Sequence, residues 1–246
     1  MSAKIKLFCF PHAGGLSSVY KSWERYISND IEIIPIELAG RGKRIDVPTY
    51  QSIDEAVDDL YKNIESHLDM TEFALFGHSL GAIIVYEMIY KLKKELGREP
   101  IHTFFSGRMP IQIVSSRDRH KLSDKALRDY IIKLGGTPVE IQQYDELLNM
   151  FLPIIRSDFK MVETYNYKPK YELMKSDISI FNGKNDELID KDRLEGWKDY
   201  TTGACEFYKF EGGHFYINDS QREVVNEINN ILLSVQFLQP KYINVK

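Results

Sequence analysis

The sequence predicts an α/β domain in which a mostly parallel sheet is covered by helices on both faces. Short apolar, β-rich runs alternate with longer amphipathic helical stretches, the order that builds parallel strands joined by helical crossovers. The β-rich runs are nearly continuously apolar rather than alternating, as strands buried on both faces are. At 246 residues the chain is long enough for one large domain and short for two.

Taken in order, residues 4–10 and 31–37 read as the first two strands. Ser52 is placed as the N-cap of a helix over 53–68, with Val57, Leu60, Ile64 and Leu68 on one face. A third strand, 72–76, runs directly into a glycine-serine turn and a helix over 80–96, for which Gly97 is the C′ residue. The fourth strand is 101–106. About seventy residues then follow without a convincing strand, which is long for a plain connection. They hold a helix capped by Ser123 and stopped by Gly135-Gly136, and two further helical runs at 144–151 and 153–165. Strands at 177–182 and 205–210 and a closing helix over 219–235, with Val224, Val225, Ile228, Ile231 and Leu232 on its apolar face, complete the chain. The expectation is a single domain over 1–246 with a helical insertion at about 111–165, where a lid over an active site would sit.

Composition excludes several classes. The 32 basic and 36 acidic residues give a net charge of −4, and no run of like charge marks a nucleic-acid-binding tail. The amino-terminal residues contain no apolar stretch long enough for a signal peptide or membrane span, so a cytoplasmic protein is expected. The two cysteines, Cys9 and Cys205, lie in strand-like runs and read as free buried thiols. No metal-ligand spacing, P-loop or dinucleotide fingerprint is present, and no cofactor is expected.

The chemistry is carried by Gly77-His78-Ser79-Leu80-Gly81, which fits G-x-S-x-G. A strand enters it and an apolar helix leaves it, the setting of a nucleophile elbow in the α/β-hydrolase fold. Flanking glycines are needed because so sharp a turn leaves no room for Cβ atoms. A serine hydroxyl is a weak nucleophile until a base takes its proton. Of the six histidines, His214 has the right setting: Gly212-Gly213-His214 follows the last strand, and active-site groups in parallel sheets gather at the carboxyl ends of strands. His78 lies inside the elbow, His67 and His102 at element ends and His120 in a charged loop; His12, in the loop after the first strand, stands apart. The acid that orients the base should fall between serine and histidine. Asp186, after the fifth strand, does so, with Glu187 and Asp190 as its rivals. Two backbone donors are needed for the tetrahedral oxyanion. The N–H of Leu80 is one, and the glycine-rich loop Pro11-His12-Ala13-Gly14-Gly15 offers the N–H of Ala13 as the other.

Several segments occur together in this order: Phe10-Pro11-His12-Ala13-Gly14-Gly15, Ala39-Gly40-Arg41-Gly42-Lys43-Arg44, the elbow, Leu134-Gly135-Gly136-Thr137-Pro138, Asn182-Gly183 followed by Asp186, and Gly212-Gly213-His214-Phe215. Over residues 7–233 the chain resembles the type II (external, editing) thioesterases of nonribosomal peptide and polyketide synthesis. Ala39 and Leu80 stand where such proteins often carry proline and methionine, departures that leave a backbone donor untouched. The resemblance implies an enzyme that removes wrong or stalled acyl and aminoacyl groups from the phosphopantetheine arms of carrier-protein domains. It implies a Ser79, Asp186, His214 triad and an Ala13, Leu80 oxyanion hole. In the lid, Met150, Phe151, Phe159 and Met161 would enclose the acyl chain or form the packing face. Carrier domains tend to be acidic, so a basic docking rim is expected, with Arg108, Arg117, Arg119 and Lys121 as one cluster and Arg41, Lys43 and Arg44 as another; the alternative is a solvated charged face, with Arg41 and Arg44 as structural residues. A monomer is the expected state. A carboxylesterase or lipase-like hydrolase of small esters is the alternative, and a non-catalytic hydrolase-fold binding protein a remoter one.

Overall fold

A computed structural model describes residues 4–113, 118–136 and 145–238. Six strands, β1 (Ile5–Phe10), β2 (Ile31–Pro35), β3 (Phe73–His78), β4 (His102–Ser106), β5 (Asp177–Gly183) and β6 (Cys205–Phe210), form one sheet in the order β2-β1-β3-β4-β5-β6. Every neighbouring pair is parallel. The helices are α1 (Ile53–Glu65), α2 (Leu80–Leu96), α3 (Asp124–Leu134), α4 (Asp145–Thr164), α5 (Tyr216–Asp219) and α6 (Gln221–Leu238), with longer 3-10 segments at Ser17–Arg25 and Lys191–Tyr200.

The four inner strands β1, β3, β4 and β5 are buried on both faces, the edge strands β2 and β6 only in part, and the strand period of two sorts the side chains into two cores. Phe8 and Phe10 of β1, Leu75 of β3 and Phe105 of β4 pack with α1, α2 and the end of α4. Leu7, Cys9, Ala74, Phe76 and Phe104 point the other way and pack with Trp23 and with Val224, Val225, Ile228 and Leu232 of α6. A smaller third core lies between α3 and α4, built from Leu127, Ile131, Leu152, Ile155 and Phe159. That core is the expected helical insertion folded against itself.

Local chemistry explains the element boundaries. The Ser52 hydroxyl accepts from the Glu55 N–H at 3.1 Å, capping α1. The helix stops at Glu65, three residues early, where the Ser66 hydroxyl turns back to donate to the Asn63 carbonyl. The two helical runs expected on either side of position 153 are one helix. Pro153 lies inside α4 and faces solvent, while a continuous apolar stripe of Leu148, Leu152, Ile155 and Phe159 runs past it. Burial of that stripe carries the helix through a residue that normally breaks it. The closing helix, expected from 219, starts at Gln221, and Ser220 separates it from a short helical turn over Tyr216–Asp219.

The strand order places the site. After β1 the chain moves outward to β2 and then crosses back to β3 on the other side of β1. The carboxyl ends of β1 and β3 therefore flank the point where winding reverses, the crevice in which open parallel sheets bind ligands.

Candidate active site

Ser79 follows β3 and precedes α2 with φ 56° and ψ −107°. Among the described residues it is the one non-glycine with positive φ. Such strain persists only where the surroundings over-determine it. They do so through the two glycines of the motif. A Cβ on Gly77 would lie 2.4 Å from the Gly81 carbonyl oxygen, and one on Gly81 would lie 2.2 Å from the Phe10 carbonyl oxygen. The Ser79 N–H donates to the Ser106 carbonyl at 2.8 Å, fixing the turn against β4.

The imidazole and its partner come from the two loops after β5 and β6. His214 Nδ1 lies 2.7 Å from Asp186 Oδ2, and both side chains are buried. Asp186 Oδ1 accepts the Leu188 N–H at 2.9 Å, so both carboxylate oxygens are held. The loops are stitched together by Asn185 N–H to the Gly212 carbonyl and Lys184 N–H to the Phe210 carbonyl. A Cβ on Gly183 would strike the Gly213 carbonyl oxygen at 2.2 Å, so close approach of these loops requires glycine. The rivals of Asp186 lie elsewhere: Glu187 is exposed, and Asp190 is exposed and caps the 191–200 segment by accepting the Asp192 N–H. With Nδ1 committed to Asp186, Nε2 is the ring nitrogen left for Ser79, and Ser79 and His214 line the same cavity.

Two further histidines back this pair. His12 packs edge-on against His78 and Phe215, with centroid separations of 5.8 and 4.9 Å. Burial, reinforced by the neighbouring His214 and Arg41, pushes its pKa down to about 3. Burial also holds His78 well below the usual histidine range. His78 Nδ1 pairs with the Ser106 hydroxyl, which in turn pairs with the Tyr216 hydroxyl at 2.5 Å. Both rings are therefore neutral near pH 7, and neither places a positive charge beside His214.

The loop after β1 is pinned from outside the sheet. The Gly14 N–H donates to Asp158 Oδ2 at 2.7 Å, and the Gly15 N–H to the His12 carbonyl at 2.9 Å. Asp158, on α4, also accepts two bonds from Arg41, at 2.7 and 2.8 Å, and Arg41 Nη1 donates to the Gly15 carbonyl. Arg41 and Asp158 are each 1% exposed. Arg41 is therefore a structural cation and not part of a docking rim, because no partner could reach it. Arg44 is paired with Asp59 and Tyr50 and is only partly accessible. Arg117 lies outside the described residues. Arg119 faces the cavity, close to the rings of Tyr130 and Phe159 and 3.6 Å from Glu163. Asp158 was not singled out in the sequence, although it sits on the apolar stripe of α4 between Ile155 and Met161. A lone carboxylate on a buried face is the signal of a buried pair.

A cavity of about 560 Å³ opens beside Ser79, His214 and Ala13, with Phe151, Ile155 and Phe159 of α4 among its apolar walls. Phe151 and Phe159 are therefore on the cavity, whereas the other two apolar positions singled out on this helix are not. Met150 points to solvent at 71% exposure, and Met161, 1% exposed, packs into the core against the sheet, because each sits about a quarter-turn from the cavity stripe. Among the described residues no group of three or more His, Cys, Asp or Glu is arranged to hold a metal ion. No described helix is long and apolar enough to cross a membrane.

The thioesterase domain family matches residues 5–232. The gramicidin S biosynthesis protein GrsT of Aneurinibacillus migulanus is 32% identical over 225 residues, spanning 91% of this chain and 87% of that protein. The medium-chain S-acyl fatty acid synthase thioesterase of Rattus norvegicus is also 32% identical, over 234 residues, spanning 94% of this chain and 87% of that protein. Among solved structures, ClbQ from the colibactin NRPS/PKS pathway superimposes with a TM-score of 0.92 at 33% identity, covering 96% of this chain and 100% of that one.

Proposed function

The chain belongs to the thioesterase family and is a thioester hydrolase of the α/β-hydrolase fold, and from that premise we propose that Ser79, His214 and Asp186 are its catalytic residues. We propose further that it acts on acyl and aminoacyl groups carried on phosphopantetheine arms of carrier-protein domains, editing a nonribosomal peptide or polyketide synthase. The observation that carries the catalytic reading is the buried 2.7 Å His214–Asp186 pair opening onto the same cavity as a strained serine.

The chemistry follows from the geometry. Asp186 holds the ring in the tautomer that carries its proton on Nδ1 and stabilises the imidazolium as it forms, without taking the proton itself. His214 Nε2 removes the Ser79 hydroxyl proton, and the Ser79 oxygen attacks the thioester carbonyl. The tetrahedral oxyanion accepts hydrogen bonds from the N–H groups of Ala13 and Leu80. Leu80 is the first residue of α2, so its amide has no intrahelical partner and sits at the positive end of the helix. The C–S bond then breaks, and the pantetheine thiol leaves with the proton returned by His214. Water, deprotonated by the same nitrogen, attacks the acyl-serine carbonyl and releases the carboxylic acid and free Ser79. The apolar wall from Phe151, Ile155 and Phe159 receives the acyl group, which makes α3 and α4 the roof of the site.

A fluorophosphonate probe that reacts with activated serines, followed by comparison of acyl-S-carrier, acyl-S-pantetheine and oxygen-ester hydrolysis, tests this reading. Labelling at Ser79 and the highest kcat/KM on the carrier-bound thioester are expected. Ser79→Ala should retain less than about 1% of turnover with its fold intact. Preference for the oxygen ester would make the chain an esterase, and absence of labelling would remove the nucleophile assignment.

A further inference from the structure

A second cavity, about 260 Å³, shares Ala13, Ser79, Arg119, Phe159, Leu188 and His214 with the first and extends from them to further walls of its own. Arg108, Met109, Asp190 and Arg193 contribute to it. Its position follows from Gly107, which has φ 59° and lies so close to the imidazole that a Cβ there would be 3.2 Å from His214 Cε1. Arg108 is the next residue, and its carbonyl accepts the Trp197 indole N–H at 3.1 Å, which anchors the backbone beside the catalytic ring.

The Arg108 side chain is out of balance with the rest of the protein. Its Nε and Nη2 are covered, yet neither has a hydrogen-bond partner among the described residues. Other arginines here are matched: Arg41 by Asp158, Arg44 by Asp59, Arg156 by Asp124. Arg119, on the same cavity, has Glu163 beside it. The Asp190 carboxylate is engaged in capping the Asp192 N–H. Burial, with Arg119 nearby, pushes the Arg108 pKa down to about 10, so it remains a cation near neutrality, but a destabilised one. Covering a guanidinium without an anion is costly, and the natural relief is an anion that arrives with the ligand.

We propose that Arg108 forms an anion subsite for the acyl group, and that this thioesterase hydrolyses short acyl thioesters ending in a carboxylate. The inference rests on the thioesterase reading above and specifies one substrate class for it. A guanidinium presents two parallel N–H donors that match a carboxylate. Because Arg108 adjoins the residue packed on His214, it reaches an anion close to the reacting carbonyl. The phosphate of a pantetheine arm is at the far end of a long chain from the thioester and would not lie there. The acyl carboxylate would occupy the smaller cavity, while longer apolar acyl groups use the larger one.

The test compares kcat/KM on malonyl-S-N-acetylcysteamine and 3-methylbutanoyl-S-N-acetylcysteamine, two acyl groups of similar shape of which only the first is acidic, and neither of which carries a phosphate. Wild type should favour the malonyl compound. Arg108→Met should lower the malonyl-to-3-methylbutanoyl ratio about 10- to 100-fold, the range for a charge-assisted hydrogen bond, and Arg108→Lys by less. The melting temperature of Arg108→Met should equal or exceed that of wild type, since an unpaired cation is removed; this separates a subsite effect from misfolding. An unchanged ratio overturns the proposal. So does a loss that appears only when 3-methylbutanoyl-phosphopantetheine is compared with its dephosphorylated form, which would assign Arg108 to the phosphate. Calorimetric binding of the malonyl thioester to the Ser79→Ala protein, weakened by adding Arg108→Met, reads the subsite without turnover. A wild-type protein that hydrolysed neither thioester would refute the thioesterase reading, and the binding measurement would still decide the subsite.

Discussion

Truncating Asp158 tests how the roof helix and the oxyanion loop are joined. Its carboxylate accepts three hydrogen bonds, two from Arg41 at 2.7 and 2.8 Å and one from the Gly14 N–H at 2.7 Å. Asp158→Ala leaves a guanidinium without its counter-ion and the Gly14 amide without a partner at a position where both ion-pair side chains are 1% exposed. Removing one member of a buried pair costs about 3–5 kcal/mol, mostly because the other charge stays behind. For a chain of this length that corresponds to a fall in melting temperature of roughly 6–20 °C. Urea denaturation with an unchanged m-value would measure it. Activity should fall too, because Gly14 adjoins Ala13, whose N–H is the proposed oxyanion donor. Arg41→Met combined with Asp158→Leu removes both charges, and the pair should be no less stable than Asp158→Ala alone, since no buried charge is then left and only neutral backbone groups, the Gly14 amide and the Gly15 and Ala39 carbonyls, lose partners. A loss below about 1 kcal/mol for Asp158→Ala, with kcat unchanged, would refute the reasoning: the loop would be held by something other than this ion pair.

Two further outcomes follow from the site. Asp186→Asn should reduce kcat by about 10³- to 10⁴-fold, because the amide no longer favours the tautomer with its proton on Nδ1, while the exposed Glu187→Gln should stay near wild type in the same acyl-pantetheine assay. Folding stability should drop as pH falls from 7 to 5. His12, held at about 3, His102, held at about 4, and His78 all have depressed folded-state pKa values, so the unfolded chain takes up protons from about 6.5 downward before the folded chain does. His12 and His102 each contribute roughly 2 kcal/mol of loss over that window, His78 adds in the same direction, and urea titrations of His102→Asn should show a shallower pH dependence than wild type.

The sheet, and the meeting of the His214–Asp186 pair with Ser79 beside one cavity, were legible because they rest on local rules. β6 and α2 begin and end where apolar runs and Gly97 say they should, and 77–81 is read from the space that a tight strand-to-helix turn allows. His214 and Asp186 were found by their placement after strands, which sequence order alone supplies. What depends on the roof's orientation was not legible. Helical periodicity shows that α4 has an apolar stripe, but it does not say whether Phe159 and Met161 lie on the same side of a cavity. They do not: one lines it and the other packs on the sheet. Periodicity also stopped at Pro153, whose penalty is local, whereas the burial of Leu152 and Ile155 that outweighs it is tertiary. Arg41 is similar. In sequence it belongs to a basic, glycine-rich loop; its partner is 117 residues away on another element.

The same helix thus has two duties, and this limits how the roof can behave. Phe151, Ile155 and Phe159 present its apolar wall to the cavity, while Asp158, between the last two, clamps the loop that carries Ala13. Lifting this part of α4 away from the sheet would pull a carboxylate off a buried guanidinium, at a cost of several kcal/mol. Access to Ser79 therefore does not come from swinging α4 as a flap about its carboxyl end. By contrast, α3 and the amino-terminal half of α4 pack on each other through the small Leu127, Ile131 and Leu152 core. Relatives named for peptide-antibiotic and for fatty-acid synthesis are equally similar to this chain, at 32% identity each. A division of labour accounts for that. The strand ends are held to one geometry, since Gly77, Gly81 and Gly183 tolerate no Cβ, whereas the side chains of α3, α4 and the 107–109 segment that line the cavities are under no such constraint.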